Sequence, residues 1–213
     1  MKRARALVVC AAALVGALLA STARADDDDG VNGRLEGDLD LRAGAGASFA
    51  SGGPSFAAMA AIIYLETAGV YVRYADAAGS SAPSTRRSIA TGIHIQPFFL
   101  ARYATNGEHG PARLDLLVDS FAVELGAAWQ AQEQATFDPE PGLEVGLTLA
   151  APFFARASGP FLEVTGALRW RGGDLRGPAG EDAVDRGAFL SLTLAWHQVV
   201  PVHLVDFGDT VRK

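Results

Sequence analysis

The stretch Arg34–Phe49, RLEGDLDLRAGAGASF, sets Arg34, Glu36, Asp38, Asp40 and Arg42 on alternate residues. Leu35, Gly37, Leu39, Leu41, Ala43, Ala45 and Ala47 fill the positions between them. A β-strand has a side-chain period of two, so it sends all five charges to one face and the leucines and small groups to the other. In a water-soluble protein the leucines would point inward, whereas a barrel in a lipid bilayer reverses that choice. The remainder of the chain has to say which face is the inside.

The same alternation recurs seven more times. Met59, Ala61, Ile63 and Leu65 oppose Ala60, Ile62, Tyr64 and Glu66; Val70, Val72 and Tyr74 oppose Tyr71 and Arg73. Ile89, Ile93, Ile95 and Phe99 oppose Ser88, Gly92, His94 and Gln96. Phe121, Val123, Leu125, Ala127 and Trp129 oppose Ala122, Glu124 and Gly126, and Leu143, Val145, Leu147, Leu149 and Phe153 oppose Glu144, Gly146, Thr148 and Ala150. Leu162, Val164, Leu168 and Trp170 oppose Glu163, Thr165, Arg169 and Arg171; Leu190, Leu192, Leu194 and Trp196 oppose Phe189, Ser191, Thr193 and His197. Each run is about the roughly 9 to 11 residues that a tilted membrane strand needs.

One face is bulky and apolar, while the other mixes opposite charges with Gly, Ala, Ser and Thr. A soluble barrel packs its large apolar groups inside, so this division predicts the opposite arrangement, apolar out and polar in. The expected fold is all-β: an eight-stranded antiparallel up-and-down transmembrane β-barrel over residues 34–199, its lumen filled by polar side chains. Turns are expected at Ala68-Gly69, Thr105–Pro111 and Arg156–Gly159 on one side. Longer loops are expected at Ala50–Ser55, Asp76–Thr85, Ala131–Pro141 and Gly172–Asp185 on the other. One segment, ARLDLLVDSFAVELG, also fits a helix, because Leu114, Leu117, Val118, Phe121 and Leu125 follow helical spacing. As a strand it needs a register change near Asp119 and Ser120.

Residues 1–25 read as a cleaved signal peptide: Lys2, Arg3 and Arg5, then an apolar run to Ala20, then Ala23-Arg24-Ala25. The remaining 188 residues begin with an acidic tail, 26–33, and end in a C-terminal tail, 200–213. Their 14 Lys and Arg against 24 Asp and Glu give a net charge of −10, which argues against nucleic acid as a partner. Cys10, the sole cysteine, lies in the signal segment, so the mature chain has no disulfide.

Signal segment, even strand count, dyad repeat and loop asymmetry together resemble the small eight-stranded outer-membrane barrels of the OmpA transmembrane-domain and OmpX type. The resemblance covers nearly all of the mature chain but is one of architecture and carries no diagnostic motif. It implies a monomer in a bacterial outer membrane, surrounded by its lipid and inserted by the barrel-assembly machinery. It transfers no activity.

The predicted lumen set is Arg34, Glu36, Asp38, Asp40, Arg42, Glu66, Arg73, His94, Gln96, Glu124, Glu144, Glu163, Arg169, Arg171 and His197. An eight-stranded barrel is just wide enough for side chains to fill it, so these groups are expected to pair with one another. A narrow water or proton path, with His94 or His197 responding to pH, is the functional alternative. Catalysis is not expected: Ser88 and His94 share a face, but six strand residues separate them by roughly 20 Å. No metal or cofactor is expected either, since the histidines lack ligand spacing and the Gly-rich runs lack a phosphate-binding signature. The role expected is structural or surface-interacting, not an open pore. A soluble lipocalin-like carrier of an apolar ligand is the first alternative, and a lipid-acting outer-membrane enzyme the second.

Overall fold

Most strands here end at or within two residues of a proline, a glycine or a left-handed turn. The computed structural model describes residues 32–35, 37–50, 53–77, 87–105, 107, 110–131, 136–171 and 186–202. Eight strands follow in order: β1 (Leu39–Ala50), β2 (Gly53–Tyr64), β3 (Ala68–Ala77), β4 (Arg87–Ile95), β5 (Ala122–Ala131), β6 (Gly142–Pro152), β7 (Gly159–Trp170) and β8 (Arg186–Val200). Each pairs antiparallel with the next, and β8 returns to β1, so the sheet closes into the expected all-β up-and-down barrel. Closure gives every strand two partners and leaves no open edge.

Two helices connect β4 to β5: α1 (Pro97–Ala104) and α2 (Ala112–Asp119). They stand at the end of the barrel where the chain enters and leaves. The signal segment 1–25, the acidic tail up to residue 31, Glu36, the loop residues 78–86 and 172–185, His109, and the tail from 203 onward lie outside the described residues.

The structure corrects the sequence reading in four places. Arg34 does not belong to the first strand; residues Asn32–Leu35 form a 3-10 turn, and β1 begins at Leu39. Phe99 does not continue β4. Pro97 has no N–H for the sheet ladder and favours the first turn of a helix, so the strand ends at Ile95 and α1 begins. The turn expected at Ala68-Gly69 lies at Leu65–Thr67, and Thr105–Pro111 joins α1 to α2 rather than two strands. The ambiguous segment is helix as far as Asp119 and strand from Ala122, with the break at Ser120 and Phe121.

The fourth correction concerns β2. Met59, Ala61 and Ile63 face the interior, Ile63 with no exposed surface, while Phe56 and Ile62 are exposed. This reverses the expected faces. Both faces of the strand are apolar, so only Glu66 orients it in sequence, and Glu66 sits in a turn that breaks the alternation. Leu65 and Glu66 both adopt left-handed backbone, φ 47° and 49°, at a cost of roughly 1–2 kcal/mol per residue. That turn swings Leu65 outward and Glu66 inward.

Inside, glycines face large side chains. Met59 pairs in register with Gly44, and a Cβ on Gly126 would lie 2.6 Å from the Tyr71 hydroxyl and 2.4 Å from the Thr91 carbonyl oxygen. Gly126→Leu should therefore lower barrel stability by about 1–3 kcal/mol through overpacking. Gly166→Ala adds a methyl where nothing lies within 4 Å and should leave it unchanged. Urea unfolding of the two variants in parallel measures the difference, and equal midpoints would refute the packing account.

Candidate functional site

The interior carries the charges. Asp40 and Arg42 come from β1, Glu66 from the β2–β3 turn, Arg73 from β3, His94 from β4, Glu124 from β5, Glu144 from β6, Glu163 and Arg169 from β7 and His197 from β8; all are buried. Gln96, buried just after β4, donates its backbone N–H to the Thr67 carbonyl at 2.7 Å. An unpaired charge in such a space is costly, so its partners define the site.

Toward the far end, one brace spans five strands. Arg73 donates to Glu124 Oε2 at 2.7 Å and to Glu144 Oε1 at 2.9 Å, and the Tyr71 hydroxyl donates to the same Glu144 oxygen at 3.0 Å. Arg169 closes the brace, with Nε on the other Glu144 oxygen and Nη1 on the Ser88 hydroxyl at 2.6 Å. Its guanidinium also lies 4.2 Å from the centre of the Phe189 ring. His94 Nδ1 stands 3.0 Å from Glu124 Oε1. Ser88 and His94, which share a strand, are thus held by different partners.

Nearer the entry end, Arg42 gathers a second group. Its Nε donates to Asp40 Oδ2 at 2.5 Å, and Nη2 donates to Glu66 Oε2 at 2.9 Å and Gln96 Oε1 at 3.4 Å. Burial, with the Asp40 carboxylate beside it, pushes the Glu66 carboxyl up to about 7, against the pull of Arg42. The left-handed turn and this buried carboxyl therefore belong together: the backbone strain delivers the side chain to Arg42.

The helices cap this end. Asp119 of α2 accepts from Arg34 Nη1 and from Arg102 Nη1 of α1, each at 2.7 Å, and Arg102 also bonds Asp115. The Arg34 guanidinium lies 4.6 Å from the centre of the Phe99 ring. Ser120 Oγ, just past α2, accepts from the Ala150 N–H at 2.8 Å and donates back to the Ala150 carbonyl, tying the cap to β6. Asp115, Asp119 and Arg102 were not in the lumen set expected from sequence. The clue was present, because Asp115 and Asp119 are spaced to share one face of a helix.

The remaining expected members fall at the rims. Asp38 is half-buried and accepts from the Val202 N–H at 2.6 Å; Arg171 is half-buried beyond β7, its Nε 3.4 Å from Gln130 Oε1. Among the described residues no group of three or more His, Cys, Asp or Glu is placed to hold a metal ion. Comparison with family models, curated proteins and solved structures finds no match.

Two outcomes follow from this geometry. Glu144→Leu leaves Arg169 without its carboxylate and Arg73 with Glu124 alone, and should cost about 3–5 kcal/mol. Adding Arg169→Met should restore part of that loss, so a double-mutant cycle by urea unfolding should be non-additive. The second concerns pH. Folded Glu66 keeps its proton to higher pH than the unfolded chain, so its contribution is full below about 4.5 and is lost as pH rises through about 7. Glu66→Gln keeps the acceptor for Arg42 and should stabilise the protein at pH about 8, by up to roughly 3 kcal/mol, with little effect at pH about 4. Denaturation midpoints at the two pH values test this.

Proposed function

We propose that this chain is a bacterial outer-membrane barrel with a structural or surface-interaction role, neither an open pore nor an enzyme. In this reading residues 1–25 are a cleaved signal peptide, the barrel-assembly machinery of a Gram-negative cell inserts the mature chain, and outer-membrane lipid surrounds the monomer. The observation that carries it is the inversion of the barrel. Charged side chains are buried within, while Ile62, Val70, Val72, Ile93, Leu125, Leu147, Leu168 and Leu194 stand exposed around the outside.

In water, a belt of that kind would be a standing aggregation liability, because contiguous apolar surface of this extent marks an interaction face. In a bilayer it is the surface lipid requires, and closed strands satisfy the backbone hydrogen bonds that lipid cannot. No helix among the described residues is long and apolar enough to cross a membrane, so any crossing falls to the strands. Trp129, Trp170 and Trp196 lie partly exposed near strand ends, where amphipathic rings suit an interface. The cross-barrel ion pairs and the helical cap argue against a wide aqueous channel. An interior occupied by ion pairs also leaves little room for the apolar ligand of a lipocalin-like carrier.

Leu147 and Leu194 are 52% and 58% exposed on the outer face. Arginine at either position should impair insertion by about 2–4 kcal/mol at the bilayer midplane. A water-soluble barrel of the same shape should tolerate both, since the side chains already face solvent. Folding into lipid vesicles, scored by the gel mobility difference between boiled and unboiled samples, separates the cases. Recovery of the wild-type chain as a soluble periplasmic protein would overturn the proposal.

A further inference from the structure

One ring in the lumen is placed for something other than pairing. His197 lies flat on Phe161, with ring centres 3.9 Å apart and planes within 10°. Its Nδ1 faces Asp40 Oδ2 at 3.7 Å, and its Nε2 faces Glu163 Oε2 at 4.0 Å. Both separations exceed a direct hydrogen bond but suit a bridging water. Asp40 Oδ1, Glu163 Oε2 and His197 Nε2 are buried and make no hydrogen bond to any described residue. A cavity of about 20 Å³ borders the same ring, lined also by Arg34, Arg42, Glu66 and Asp119. That is room for about one water, with polar groups to hold it.

We propose that Asp40, His197 and Glu163 form a proton-exchange site in the barrel interior, supplied by water in the cavity under the cap. The charged and titratable groups around it are Asp40 and Arg42 from β1, Glu66 from the β2–β3 turn, Arg73 from β3, His94 from β4, Glu124 from β5, Glu163 from β7, and Arg34 and Asp119 at the cap. Arg42 bonds Asp40 and Glu66, and among the described residues no guanidinium bonds Glu163, which Arg42 and Arg73 reach only through space. Two ionised carboxylates on either side of one neutral ring repel in so dry a space, and a single shared proton relieves them.

The transfer balances without a co-reactant. With Asp40 protonated and Glu163 ionised, Asp40 passes its proton to Nδ1 while Nε2 passes its own to Glu163, one gap bridged by the cavity water and the other closed by a small shift of the carboxylate. One O–H and one N–H bond break and one of each forms. The imidazole ends neutral in its other tautomer, and the negative charge has moved from Glu163 to Asp40. Phe161 keeps the ring flat, so the exchange needs no rotation of the imidazole. The site rests on the interior geometry alone and is independent of what solvates the outer face.

Imidazole ¹⁵N shifts of His197 in the folded full-length chain, followed from about pH 4 to 9, test the site. The unaltered chain should show both tautomers, with populations that change with pH. Glu163→Gln should shift the balance several-fold toward Nδ1–H, and Asp40→Asn several-fold toward Nε2–H. A single tautomer, constant across the pH range and unmoved by Glu163→Gln, would mean that His197 only packs against Phe161 and would overturn the proposal. Should Asp40→Asn fail to fold because Arg42 loses its nearest partner, Glu163→Gln and the pH series on the unaltered chain still decide between the two outcomes.

Discussion

The constraint on which the rest of this barrel depends is that a charge pointing into a narrow, side-chain-filled interior must find its counter-charge there. Glu144 receives Arg73 from β3 and Arg169 from β7. Arg42 on β1 reaches Glu66 beyond β2. The Arg73 link crosses the lumen between non-neighbouring strands, while Arg169 and Glu144 are register partners on adjacent β6 and β7, so together they bear on strand register. A one-residue slip of β6 would turn Glu144 outward and leave two guanidiniums buried without it. The polar core thereby supplies specificity that a lumen lined with alanine and glycine could not.

That constraint explains which parts of the fold were legible in the sequence. Where a strand carries charge on one face only, as in β1, β6 and β7, the alternation identifies the inside directly. In β2 it does not: Ala57, Met59, Ala61 and Ile63 line the interior while Phe56, Ala58, Ala60 and Ile62 face out, and hydropathy does not separate the two sets. The one charge close by, Glu66, reaches the lumen through a left-handed turn and so misreports the parity of the strand. Pro97 was visible, but the alternation of Ile93, Ile95 and Phe99 across it outweighed what proline does to a ladder. The pairing of the ions was not legible at all, since Arg73 and Glu144 are 71 residues apart and meet only through barrel closure.

The cap shows the same logic at the level of an element. α2 buries Asp115, Leu116 and Asp119 while Leu114 is half exposed, so its inward face is largely ionic. The face fits because Arg34 and Arg102 arrive from two other segments to meet it. Read by hydrophobic spacing alone, the helix would be turned the wrong way. What holds it over the barrel mouth is a set of charges from three parts of the chain, together with Phe99 and the Ser120 tie to β6.

Pairing is also incomplete, and the shortfall lies on one side. Among the described interior residues of the barrel and its turns, Asp40, Glu66, Glu124, Glu144 and Glu163 face Arg42, Arg73 and Arg169. Three guanidiniums cannot neutralise five carboxylates, even where Glu144 and Arg73 each serve two partners. Glu66 meets the excess by holding a proton up to about 7. The other unmatched carboxylate is Glu163, whose nearest cationic candidate is an imidazole that also faces Asp40. The same inversion that puts leucine on the outside concentrates acid on the inside, and acid without enough arginine leaves protons and water to complete the balance. The interior chemistry of this barrel is therefore acid–base chemistry, with His197 at the point where the ion pairs run out.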